Sequence, residues 1–185
     1  DGRTALVRVY DESAASSLEP SGCPLLPVIL KIFSRENGRL KEEYIHKFDD
    51  NAFSSIKIVK NFCGEGKDAV LVETMSTGCG SGYSASLNFL KAETHNGKFF
   101  YHLVSGPRFG ELDSYKIVEG REILVAKAVW APDESHFEPH RYRLEKYVWD
   151  PLGEKFIKKD LGTTKGKYSG SIEEIIAAEP AVLEK

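Results

Sequence analysis

Apolar and polar positions alternate through Ala85–Val104, the stretch ASLNFLKAETHNGKFFYHLV. Leu87 and Phe89 alternate with polar neighbours on the way in, and Phe99, Tyr101 and Leu103 do so on the way out. A period of two is the signature of a half-buried strand. Between the arms sits Asn96-Gly97, a pair that supplies the positive φ angles of a tight primed turn. The stretch predicts a β-hairpin. The same plan recurs twice. Val28–Lys47 sets Asn37-Gly38 between VILKIF and RLKEEYIHK, and Tyr142–Lys159 sets Asp150–Gly153 between YRLEKYVW and EKFIKK.

Other strands are shorter. Thr4–Tyr10 is one, and Ser55–Val59 is another, followed by a turn through Asn61–Asp68. Ala69–Met75 (AVLVETM) opens on unbroken apolar residues, which fits a central strand better than an edge. Ile123–Trp130 (ILVAKAVW) is its counterpart, and Lys116–Val118 starts that unit. Glu65-Gly66 and Glu119-Gly120 are the turns before the two apolar strands, and Gly106-Pro107 closes a unit. Asp11–Pro27 carries glycine, prolines and Cys23 and predicts a long loop.

The turns define units over residues 51–106 and 107–162, each a four-stranded meander of about 55 residues, with a partial unit over 1–50. Such meanders build propellers and related repeat sheets. One meander cannot bury its apolar face alone, so neighbouring units must stack. The expected fold is one all-β domain over 1–185, its antiparallel four-stranded meanders packed propeller-like or as a sandwich. The tail differs. Ser171 and Glu174 have capping-box spacing, Ile172, Ile175 and Ile176 form a helical stripe, and Pro180 stops it. A short C-terminal helix over 171–179 is expected to cover one open end of the sheets.

Composition changes this picture little. The 185 residues are 41% hydrophobic and 29% charged, with a net charge of -3. A near-neutral chain without a clustered basic face argues against nucleic acid as a partner. No apolar run approaches the roughly 20 residues of a membrane span. The chain starts at Asp1, and no signal or transit segment is expected within it. Cys23, Cys63 and Cys79 each lie beside glycine or proline, in turn-like settings that favour a disulfide in an exported protein. Pairs involving Cys23 are geometrically easier than Cys63–Cys79, whose members flank one strand. The expected location is extracytoplasmic, with the signal segment absent from this chain.

Two segments carry residues of chemical interest. Ser76, Thr77, Gly78, Gly80, Ser81 and Gly82 fall in STGCGSG, which could hold a ligand or anion in a nest of backbone N–H groups. It lacks the Gly-Lys-Ser/Thr of a P-loop and the G-x-S-x-G of a nucleophile elbow. The simpler reading is a glycine-rich crossing between strands. In DESHFEPH, His136, Glu138 and His140 fall at intervals of two and would share one side of an extended segment. Such donors suit zinc. Pro139 and the following Arg141 and Arg143 work against it, and the segment is read as a solvated loop, so no metal, cofactor or catalytic residue is assigned.

From Ala69 to about Lys159 the chain resembles a loosely defined group of bacterial exported proteins of unknown function. The likeness rests on Val70–Thr74, Gly78–Gly82, Asn96-Gly97 and Tyr147-Val148-Trp149-Asp150. It also resembles integrin-like propeller repeats, without their calcium-binding D-x-D-G-x-G loop, so no calcium site or adhesive role is implied. The resemblance implies export and a β-sheet scaffold, and no activity.

The leading functional reading is a non-catalytic extracytoplasmic β domain that binds a protein or small ligand. The alternatives are a small hydrolase, metal dependent or not, using the 133–140 loop beside Ser76–Gly82, and a structural module of a larger assembly. Convergence of those two loops would favour the hydrolase.

Overall fold

The computed structural model describes residues 6–11, 28–49, 52–64, 66–77, 82–118 and 121–183. Three antiparallel sheets follow one another in the chain. The first is β1 (Leu6–Asp11), β2 (Val28–Glu36) and β3 (Arg39–Lys47), paired in that order. The second is β4 (Ala52–Gly64), β5 (Lys67–Thr77), β6 (Tyr83–His95) and β7 (Lys98–Gly110). The third is β8 (Ser114–Val118), β9 (Glu122–Val129), β10 (Arg141–Asp150) and β11 (Lys155–Thr163). The second and third sheets are four-stranded meanders, as their turn spacing predicts, and β5 and β9 lie inside their sheets.

The second and third sheets each carry two apolar faces, and the sheets stack in series. Leu71, Leu87 and Phe89 of the second sheet meet Ile123, Val125 and Trp149 of the third. On the other face of the second sheet, Val72 and Leu90 meet Val28, Leu30 and Ile32 of the first. The third sheet turns Leu124, Ala126, Tyr142 and Leu144 to the C-terminal helix α1 (Ile172–Ala178). Ser171 caps that helix by accepting from the Glu174 N–H at 3.4 Å, and Ile172 and Ile175 are buried. The helix thus covers the outer face of the last sheet. Among the described residues no helix is long and apolar enough to cross a membrane.

The turns follow their chemistry where Asn-Gly occurs. Asn37 and Gly38 take φ of 50° and 80°, and Asn96 and Gly97 take 51° and 73°. The third hairpin differs from expectation. Its left-handed residue is Glu154, at φ 49°, rather than Gly153. Asp150 accepts from the Leu152 N–H at 3.0 Å and organises the turn one residue later, which sends the Glu154 carboxylate to the Lys91 ammonium.

Two boundaries also move. The strand expected to stop at Val59 continues to Gly64 through a register irregularity, with Asn61 at φ 54°. Cys63 therefore lies in β4 rather than in a turn. Gly106-Pro107 does not end its unit but lies within β7, an edge strand, where a missing N–H costs no ladder bond. The two residues form a bulge opposite Leu87. The Glu119-Gly120 turn, Cys23, Cys79 and most of the Asp11–Pro27 segment lie outside the described residues, so the disulfide expectation falls there too.

Candidate functional site

A meander sends alternate connections to opposite ends of its sheet. The β5–β6, β7–β8 and β9–β10 connections consequently share one end, and the hairpin turns occupy the other. At that loop end a cleft of about 390 Å³ opens. Gly82 and Tyr83 border it from the start of β6, Glu111 and Asp113 from the β7–β8 turn, Lys127 from β9, and Trp130 and His136 from the β9–β10 loop. The end of the glycine-rich segment and the histidine loop therefore meet in one place.

Each wall is fixed from behind. The two Asp113 carboxylate oxygens accept from the Gly110 N–H at 2.7 Å and the Ala128 N–H at 2.8 Å, pinning the turn to the end of β9. Lys127 pairs with Glu145 at 3.2 Å. Glu145 is buried and also accepts from the Tyr147 hydroxyl at 2.8 Å and from Lys158. Burial opposes its charge, but the bonds from Lys158, Tyr147 and Lys127 outweigh it and hold the carboxyl below its ordinary range.

The histidine loop folds around Glu134. One carboxylate oxygen meets Lys167 at 2.5 Å, and the other accepts from the Ala131 N–H at 3.0 Å and lies 3.0 Å from His140 Nδ1. These partners, Lys167 first, lower the Glu134 pKa to about 2. An ionised carboxylate only accepts, so Nδ1 of His140 carries the proton. The His140 ring is 2% exposed, and its backbone bridges Tyr168 in both directions. Trp130 stands with its ring centre 4.4 Å from those of both His136 and His140. It nevertheless keeps 44% of its surface open, and Tyr83 keeps 39%. Phe137, at the tip, stands almost wholly in solvent.

The extended arrangement of His136, Glu138 and His140 does not occur. The loop makes turns, with the Glu138 N–H bonded to the Ser135 carbonyl, so His136 is exposed and His140 buried. No cluster of three or more metal-ligating side chains occurs among the described residues. Ser76 and Thr77 are not in a loop: they extend β5 and pair with Ser84 and Tyr83. Gly78, Gly80 and Ser81 lie outside the described residues, and Gly82 reaches the cleft. Sequence reasoning missed Trp130, Tyr83 and Asp113 as cleft residues. The available signal was the meander itself, since it places the three connections at one end.

Compared with family models, curated proteins and solved structures, the chain matches none.

Proposed function

We propose that this chain is a non-catalytic, extracytoplasmic binding domain that takes a small polar ligand with a flat apolar face, such as a sugar ring, in the loop-end cleft. One observation carries the reading: Trp130 and Tyr83 present open aromatic surface around a cleft whose polar walls are already tied in place. Aromatic faces pack on the C–H face of a sugar, and carboxylates and amides at the edges take its hydroxyls. A pre-tied wall loses little freedom on binding, which favours affinity. NMR titration with neutral mono- and disaccharides should shift the Trp130 indole N–H and the Gly82 and Asp113 amides saturably. Shifts confined to other surfaces, or none, would count against the assignment.

A second reading has one observation in its favour. A hydrolase needs the glycine-rich segment and the histidine loop side by side, and Gly82 and His136 share the cleft. Against it, His140 is taken up by Glu134, which leaves His136 as the imidazole on the cleft wall. Product release during the same titration would favour the hydrolase.

A further inference from the structure

The fixed charges around the loop-end cleft are not balanced. Two carboxylates, Glu111 and Asp113, reach it from the β7–β8 turn, and one ammonium, Lys127, reaches it from β9. The two signs are not equally available. Lys127 pairs with one oxygen of the buried Glu145, and Lys158 takes the other. Three carboxylates thus stand against two ammoniums, and both ammoniums are engaged with Glu145. The His136 imidazole completes the set of titratable groups on the wall, with its ring centre 4.4 Å from that of Trp130.

The acidic turn is fixed, yet its charge is not cancelled. The Asp113 N–H donates to the Gly110 carbonyl at 3.1 Å, and the Gly110 N–H donates to one Asp113 carboxylate oxygen at 2.7 Å. The other oxygen accepts from the Ala128 N–H at 2.8 Å. These donors are neutral amides, and each carboxylate oxygen retains a second lone pair. Among the described residues no cation pairs with Asp113 or Glu111, and Glu111 is exposed. The Tyr83 hydroxyl donates to the Glu111 carbonyl at 3.5 Å, which sets the open Tyr83 ring beside the acidic turn.

We infer that the sugar taken by this cleft is an amino sugar, bound with its amine protonated. The inference rests on the binding reading above and adds the charge of the ligand. A sugar ring packed on Tyr83 has the acidic turn at its edge, where an ammonium meets the Glu111 carboxylate and the field of Asp113. The aromatic rings act in the same sense, because the face of an aromatic ring is negative and attracts a cation. An acidic sugar meets the same two carboxylates and a single wall ammonium that Glu145 already holds.

The test is an NMR titration of the full chain at neutral pH with glucose, glucosamine, N-acetylglucosamine and glucuronate, the ionic strength matched with sodium chloride. Glucosamine should bind about three- to tenfold more tightly than glucose, the range of a half-exposed ion pair. N-acetylglucosamine places an uncharged amide at the same ring position and should bind like glucose, and glucuronate should bind more weakly. The gain should shrink as salt is raised. In Glu111→Gln, glucosamine should fall to within about twofold of glucose measured on the same variant. Equal affinity for glucosamine and glucose, N-acetylglucosamine matching glucosamine, glucuronate binding more tightly than glucosamine, or an undiminished gain in Glu111→Gln would overturn the inference. Where glucose binds and glucosamine gains nothing, this inference alone fails; where no sugar binds, the binding reading fails with it.

Discussion

Glu134 and His140 sit six residues apart and meet at 3.0 Å through one carboxylate oxygen and Nδ1. That contact closes the loop that carries Trp130 to the cleft. With Lys167 on its other oxygen, Glu134 is the hub on which the β9–β10 connection folds.

The hub has a consequence for acid stability. Glu134 titrates at about 2 instead of the ordinary 4.5, with the Lys167 bond as the leading cause. A carboxyl depressed by folding stabilises the native state above its unfolded pKa, and that contribution is lost as pH falls through the folded value. The window is therefore between 4.5 and about 2. In thermal melts across this range the native chain should lose stability more steeply than Glu134→Gln. Parallel curves would show that the carboxylate is not held in this way.

The two glycine roles separate cleanly. Gly97 has φ of 73° and open space where a Cβ would stand, so Gly97→Val carries only backbone strain. The expected cost is about 1–2 kcal/mol in urea unfolding. Gly106 has no such φ, but a Cβ there would stand 2.9 Å from both the Leu87 carbonyl and the Phe89 ring, so Gly106→Ala forces a backbone shift. Its cost should be about 1–3 kcal/mol. An unchanged midpoint in either variant contradicts the corresponding assignment.

The helix is a cover, and its buried stripe carries the contact. Ile175 is fully buried against the third sheet, while Glu173 is exposed. Ile175→Ala should destabilise the protein by about 2–5 kcal/mol. Glu173→Ala should stay within about 0.5 kcal/mol, the range of ordinary surface changes. Equal effects would mean that the helix does not dock through its isoleucines.

The meanders were legible because turn chemistry is local. Asn96-Gly97 names its turn regardless of what packs nearby, and AVLVETM reads as a central strand by its own composition. What escaped depends on longer-range geometry. The path of β4 beyond Val59 passes through Asn61 at positive φ, and no alternation marks that. Glu154 rather than Gly153 takes the left-handed position, and the same residue bonds Lys91 from another sheet. His136, Glu138 and His140 have ligand-like spacing along the chain, but Glu134 bends the loop and separates them. The cleft reflects where stacked sheets part, which residue spacing does not encode.

The central claim is that the loop-end cleft binds through Trp130. The most direct measurement is calorimetric titration of the chain and of Trp130→Ala with a panel of neutral mono- and disaccharides. At least one sugar should bind saturably, and truncation of a half-open aromatic platform should weaken it by about tenfold or more while the melting temperature stays near that of the native chain. Failure of every sugar to bind, or equal affinity in the two proteins, would contradict the claim.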